Sequence, residues 1–269
     1  MFTARLITAA ILLAAALAAM FLLSNEWWSV LLLAILLVAG WEWGALAGYG
    51  RAARGAFCVA LLLSGVAGRA VAGMDQASSA GIELAIYGLS CVFWMIIAPA
   101  WLACGWELRG RAASAVAGWV VLFPAWLAVA RLQSDPLGLL HLMGIVWLAD
   151  TAAYLAGRTW GRRRLAPKIS PGKTWEGVAG AAVAVAVYYV VLSGSAVARP
   201  WAGRWGGALL FVGVLAVSII GDLFESWMKR RAGVKDSGTL LPGHGGVLDR
   251  VDGLLAGMPL AALVVRFPG

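Results

Sequence analysis

Residues 206–230 read GGALLFVGVLAVSIIGDLFESWMKR. From Gly206 to Gly221 there is no charged side chain; Asp222, Glu225, Ser226 and Lys229 then follow at i, i+3, i+4 and i+7, one face of a helix. About 20 apolar residues suffice to cross the hydrocarbon core of a bilayer. Two carboxylates one turn apart at the end of such a run are unfavourable unless a cation accompanies them. Lys229 can pair with Glu225 across four residues, whereas Asp222 has no such partner in its own helix.

The whole chain is of this kind. Of its 269 residues 62% are hydrophobic and 13% charged, with a mean hydropathy of +0.86. Soluble domains are nearer half apolar and a quarter charged, so these values exclude a soluble globular enzyme, a disordered chain and a disulfide scaffold. The expected fold is an all-α, polytopic integral membrane protein with about nine transmembrane helices. They lie near 6–23, 28–47, 56–73, 82–104, 113–130, 137–156, 175–193, 206–225 and 252–266. The first follows Arg5 and has the small residues of a signal peptide, but its length and the eight spans behind it argue for a retained helix. The ninth is short and interrupted by Pro259.

A net charge of +8 would suggest nucleic acid in a soluble protein; here the positive-inside rule accounts for it, and no nucleic-acid partner is expected. With nine spans and a cytoplasmic N-terminus, Arg69, Arg131, Arg199, Arg204 and Arg266 fall outside. The other 16 of the 21 Lys and Arg residues fall inside. Trp27, Trp28, Trp41, Trp43, Trp101, Trp106, Trp201 and Trp205 stand near span ends and read as interfacial anchors. Cys58, Cys91 and Cys104 sit in apolar runs without metal-site spacing and read as small buried hydrophobes. The 34 glycines suit close helix packing in lipid.

The two halves differ. Residues 1–136 contain no lysine, and their acids, Glu42 and Glu83 among them, fall mostly at span ends; this half reads as transmembrane scaffold facing lipid. Residues 137–269 carry the chemistry, with the site at the cytoplasmic ends of the C-terminal helices. Asp150, Tyr154 and Gly157 share a helical face, and a carboxylate at the depth of Asp150 needs either a cation or Arg158. In Ser170-Pro171-Gly172-Lys173-Thr174, hydroxyls and an ammonium stand at the start of the next helix. That arrangement suits phosphate; the alternative is ordinary turn chemistry with Ser170 or Thr174 as N-cap, which alone would not require Lys173, although a positive-inside loop would supply it. Lys235-Asp236-Ser237-Gly238 and Pro242-Gly243-His244-Gly245-Gly246 lead to Asp249, Arg250 and Asp252 at a helix start, where one capping carboxylate would be enough. Carboxylates beside Lys and Arg describe a Mg²⁺–polyphosphate site, and two histidines cannot build a His-rich zinc site.

Residues 226–252, Ser-x-x-Lys-Arg-x4-Lys-Asp-Ser-Gly-x-x-Leu-Pro-Gly-His-Gly-Gly-x-x-Asp-Arg-x-Asp, resemble the signature of the phosphatidate cytidylyltransferase (CDP-diacylglycerol synthase) family. Trp147–Arg158 and Ser170–Gly177 resemble its two other recurrent stretches, so specific similarity covers roughly 147–252. Gly172 stands where members often carry a second lysine, and Gly253 where serine is common. The resemblance implies transfer of CMP from CTP to phosphatidic acid, giving CDP-diacylglycerol and pyrophosphate. It implies a multi-pass protein of the bacterial inner (plasma) membrane, acting on lipid from the inner leaflet as a homodimer, with K⁺ as a candidate second ion. On that reading Asp222 and Asp249 hold the catalytic Mg²⁺, with Asp150, Glu225 and Asp252 as further ligands or orienting groups. Lys173, Lys229, Arg230, Lys235 and Arg250 neutralise phosphates, Ser170, Thr174, Ser226 and Asp236 complete the substrate contacts, and Gly243–Gly246 wraps the nucleotide, His244 donating a hydrogen bond. Arg162 to Arg164 read as a topology and anionic-lipid signal.

Two rivals remain open on the residues alone. A secondary transporter would use Asp150 and Asp222 for a coupling ion, but the polar groups gather at one face and no paired broken helices are evident. A CTP-dependent polyprenol kinase would share the substrate chemistry.

Overall fold

The computed structural model describes residues 2–72, 76–106, 110–195, 204–240 and 245–267. Among the described residues there are ten α-helices: α1 Phe2–Leu22, α2 Asn25–Leu46, α3 Arg51–Ala72, α4 Gln76–Val92, α5 Ala98–Cys104, α6 Arg111–Leu132, α7 Pro136–Trp160, α8 Trp175–Ser193, α9 Arg204–Arg231 and α10 Leu248–Arg266. Among the described residues seven helices are long and apolar enough to cross a membrane: Asn25–Leu46, Arg51–Val71, Ser79–Cys104, Arg111–Leu132, Pro136–Trp160, Trp175–Ser193 and Gly206–Arg231. They coincide with the second to eighth expected spans. α1 and α10 are helical where the first and ninth were expected, but α10 opens on Asp249, Arg250 and Asp252 and falls short on apolarity. Pro259 does not break α10, which continues to Arg266.

Between α7 and α8 the turn expected from Gly and Pro is a small antiparallel hairpin, β1 Arg164–Ala166 and β2 Ser170–Thr174, pairing Arg164 with Thr174 and Ala166 with Ser170. Both helices that flank it are tied to it. Thr174 is the N-cap of α8, its Oγ1 accepting from Gly177 N at 3.1 Å. The Glu176 carboxylate accepts from Arg162 N at 3.1 Å and Arg163 N at 3.2 Å, closing the end of α7 against the start of α8.

One hydrophobic cluster runs through residues 1–136 and 137–269 alike. At its centre Phe224 of α9 is packed edge-on by Phe93 and Trp101 at 5.5 Å and by Trp94 at 5.7 Å, with Trp227 stacked at 5.7 Å and Trp43 at 6.4 Å. Phe93 and Trp94 reach it from a π-turn, Phe93–Ile97, between α4 and α5. Pro99 explains that turn, because it cannot donate the backbone bond that a regular helix needs there. This aromatic box fixes the rotation of α9 and so the directions of Asp222 and Glu225 on either side of Phe224.

Several tryptophans therefore differ from expectation. Trp28, Trp43 and Trp101 are buried in protein, with Trp43 Nε1 donating to Ser114 O at 3.0 Å, while Trp27, Trp41 and Trp106 are exposed. Trp201 lies outside the described residues. Cys91 is buried as expected, but Cys104 is exposed. Away from the hairpin, the fully buried Glu83 of α4 is met by Arg131 of α6 and by Arg266 Nε of α10 at 3.0 Å.

α7 and α8 touch through small residues. A Cβ on Gly177 would stand 2.8 Å from Ala153 O, and one on Gly180 would collide with Ala156 Cβ. Gly180→Val should therefore lower stability by about 1–3 kcal/mol, read as a fall in thermal midpoint in detergent, whereas Gly88→Ala, which meets nothing within 4 Å, should not.

Candidate active site

The ends of α7, α8, α9 and α10 and the β1–β2 hairpin line a cavity of about 650 Å³. Among the described residues its charged lining is four carboxylates, Asp150, Asp222, Asp249 and Asp252, against three cations, Arg158, Arg164 and Lys173; Tyr154, Ser170, Gly172, Thr174 and Gly177 add to the polar wall. Close backbone contact makes this possible, since a Cβ on Gly221 would stand 2.6 Å from Asp252 O. Only glycine lets α9 and α10 approach so far, and the approach brings Asp222 beside Asp252.

Each carboxylate has its own environment. Asp222 Oδ2 is in ion contact with Lys173, delivered by β2, and Asp222 Oδ1 accepts weakly from Ser226 Oγ at 3.4 Å. The partner that the α9 sequence lacks thus comes from the hairpin. Asp249 is held from every side: Oδ1 accepts from Lys229 Nζ at 2.6 Å, and Oδ2 accepts from Ser237 N at 2.8 Å, Ser237 Oγ at 2.9 Å and Gly246 N at 2.8 Å. Asp252 Oδ1 accepts from Gly253 N at 2.8 Å. Asp150 makes no hydrogen bond or ion pair among the described residues. Arg158, its alternative partner on sequence grounds, instead donates to Tyr154 Oη at 3.0 Å.

Lys229 sits between two acids, with Glu225 Oε2 also at 2.6 Å, so the i, i+4 pair is present and extended to α10. Glu225 does not line the cavity. Its Oε1 is buried without a hydrogen-bond partner among the described residues, in a side chain 7% exposed.

The other expected residues divide clearly. Arg230 reaches back to the hairpin turn, Nε donating to Ile169 O at 3.3 Å. Lys235, Asp236 and Arg250 are exposed and absent from the cavity wall. Gly243 and His244 lie outside the described residues. Gly245, at φ +81°, and Gly246 form the turn before α10, where the Gly246 amide meets Asp249. Two residues outside the expected site also matter. Arg164, expected to be a topology signal, stands exposed at the start of β1 and lines the cavity. Glu42 of α2, read as one more acid at a span end, is 5% exposed and accepts from Val247 N at 3.0 Å and Leu248 N at 2.9 Å. The WEW setting of Glu42 in an otherwise apolar span was its only sequence signal.

The donor set is all oxygen, which is the chemistry of a hard cation. Among the described residues no three carboxylate, imidazole or thiol side chains form a ready-made cage; the ammonium groups of Lys173 and Lys229 sit on Asp222 and Asp249 instead. That suits Mg²⁺, which commonly takes one or two carboxylates and completes its shell with water and substrate phosphate. Asp150, without a hydrogen-bond or ion-pair partner among the described residues, and Asp249 Oδ1, beside Lys229, are available to it.

A sequence profile described as the cytidylyltransferase family matches residues 3–267. A phosphatidate cytidylyltransferase of Pseudomonas aeruginosa is 36% identical over 100% of this chain and 98% of its own length. Enzymes of the same name from Brucella suis and Haemophilus influenzae are 52% and 48% identical over 48% and 45% of this chain, spanning 48% and 43% of their own. The chain belongs to the cytidylyltransferase family; against the Brucella and Haemophilus relatives it aligns over about half their length.

The Lys229 arrangement has a measurable consequence. Lys229→Met would leave Glu225 and Asp249 facing each other in a buried setting, and breaking such a pair costs roughly 3–5 kcal/mol. Thermal unfolding should show that loss, and adding Glu225→Gln should recover part of it.

Proposed function

We propose that this protein transfers CMP from CTP to phosphatidic acid, releasing pyrophosphate and leaving CDP-diacylglycerol for phospholipid synthesis. The observation that carries the reading is the single cavity in which Asp150, Asp222, Asp249 and Asp252 face Arg158, Arg164 and Lys173. The full-length similarity to a phosphatidate cytidylyltransferase supports it.

The chemistry asks for little beyond charge and position. A phosphate oxygen of the lipid attacks the α-phosphorus of CTP, and the bond to the bridging oxygen breaks as pyrophosphate leaves. Both reactants are anions, so catalysis consists mainly in offsetting repulsion and holding the groups in line. The nucleophile is already ionised, so no general base is required. Lys173, Arg158 and Arg164 meet the phosphates, with Ser170 donating from the hairpin and His244 at the nucleotide. Lys229 acts chiefly by holding Asp249, and Glu225 by holding Lys229. Asp222 and Asp249, with Asp150 and Asp252 beside them, are the residues that would hold Mg²⁺; when bound, it supplies positive charge to the phosphate oxygens. K⁺ is the candidate for a second ion.

The reading carries a topology: nine membrane crossings, a cytoplasmic N-terminus, and a cavity at the inner face of a bacterial plasma membrane where phosphatidic acid enters sideways from the leaflet. The 16-to-5 distribution of basic residues supports it. A homodimer is the proposed assembly.

The test is release of pyrophosphate from CTP that depends on phosphatidic acid and Mg²⁺. A transporter would give none, and a polyprenol kinase would release CDP from CTP with polyprenol as acceptor. Asp222→Asn and Asp249→Asn should each reduce turnover by about 10²-fold or more while the protein still inserts and folds. Near-normal rates in either at saturating Mg²⁺ would refute the assignment. Arg162→Ala, which leaves its backbone bond to Glu176 in place, should be mild.

A further inference from the structure

Glu42 belongs to the half of the chain without a lysine, yet it meets the segment on which the cavity depends. Its Oε1 accepts from Val247 N at 3.0 Å, and its Oε2 from Leu248 N at 2.9 Å and Ser237 Oγ at 3.1 Å. Val247 is the N-cap position of α10 and makes no side-chain cap of its own. The free amides at that helix start are therefore satisfied by a carboxylate from α2, about 205 residues away in sequence. An anion there also suits the positive end of the helix dipole. The loop is shaped around it: a Cβ on Gly246 would stand 2.5 Å from Glu42 Oε2, and one on Gly238 2.5 Å from Oε1.

The same loop holds Asp249. Ser237 donates its amide to Asp249 Oδ2, and its single hydroxyl proton lies between that oxygen at 2.9 Å and Glu42 Oε2 at 3.1 Å. Glu42 is absent from the cavity wall. Removing its carboxylate would release two donors, Val247 N and Leu248 N, and leave the Ser237 hydroxyl tied to Asp249 alone. The α10 start and the Ser237 turn would then be free to move, and with them the Asp249 oxygen that faces Lys229.

We propose that Glu42 is a positioning residue: by capping α10 and clasping Ser237 from α2, it sets the orientation of Asp249 in the catalytic cavity. This rests on the activity proposed above. Supporting groups behind a metal or phosphate site are typically worth about 10- to 100-fold in activity or affinity. Glu42→Gln keeps one acceptor oxygen and Glu42→Ala keeps none, so kcat should fall by about 10- to 100-fold in the first and further in the second. KM for CTP should change little, because the triphosphate contacts stay in place. Glu42→Asp, shorter but still anionic, should fall between wild type and Glu42→Gln.

Amide hydrogen exchange at residues 246–248 gives a readout independent of turnover, and it should be faster in Glu42→Gln with exchange elsewhere in the bundle unchanged. Glu83→Gln is the control for general destabilisation. It removes another buried carboxylate, at the far end of α10, and should lower the thermal midpoint without changing kcat. Wild-type kcat in Glu42→Gln, or a kcat loss matched by Glu83→Gln, would overturn the positioning role; unchanged exchange at 246–248 would overturn the anchoring itself. If the wild-type protein fails to release pyrophosphate, the proposed activity is at fault, and the exchange measurement still decides whether Glu42 holds the loop.

Discussion

A carboxylate on a membrane helix is costly unless a positive or protic group meets it. In this protein the groups that meet such carboxylates come mainly from distant segments. Asp222 takes Lys173 from the hairpin, Asp249 takes Lys229 from α9 and the amides of Ser237 and Gly246, and Glu42 takes the first amides of α10. Glu83 takes two arginines, from α6 and α10. These pairings hold together helices that in lipid gain little from hydrophobic contact alone, and three of them converge at or behind one cavity.

The apolar architecture serves the same end. Phe224, enclosed by Trp43, Phe93, Trp94, Trp101 and Trp227, fixes how α9 is turned. Gly221 lets α10 come close enough for Asp252 to share the wall with Asp222. α2, α4 and α5 are thereby part of what orients the chemistry, although their residues stay outside the cavity. The acids are left with unequal demands: Asp249 is nearly saturated, while Asp150 has no partner among the described residues. A cation arriving with phosphate oxygens would meet that difference.

What could be read in the sequence was what is local. The Asp222, Glu225, Ser226 and Lys229 stripe follows from helical spacing, and the positions of the membrane helices follow from runs of apolar residues. The Thr174 cap and the Asp249 helix start follow from short-range rules. Pairings between distant segments were not legible: nothing near Asp222 points to Lys173, and nothing near Glu42 points to Val247. Trp43 and Trp101 looked like interfacial anchors because sequence position cannot separate a tryptophan at the lipid boundary from one packed inside the bundle. Arg164 reads with its neighbours as a run of charge, and only the pairing of β1 with β2 brings it to the cavity wall. The sequence motif also favours Lys235, Asp236 and Arg250, which in the fold are exposed and do not line the cavity.

The central claim is that Asp150, Asp222, Asp249 and Asp252 form one cation and phosphate site. An experimental structure of the full chain with Mn²⁺ and a non-hydrolysable CTP analogue tests it most directly, because anomalous scattering locates the metal independently of the protein density. The account predicts a peak inside this cavity, in contact with Asp222 or Asp249 and with the analogue's phosphates. A peak elsewhere on the protein, or an analogue bound with its phosphates away from Lys173, would contradict it.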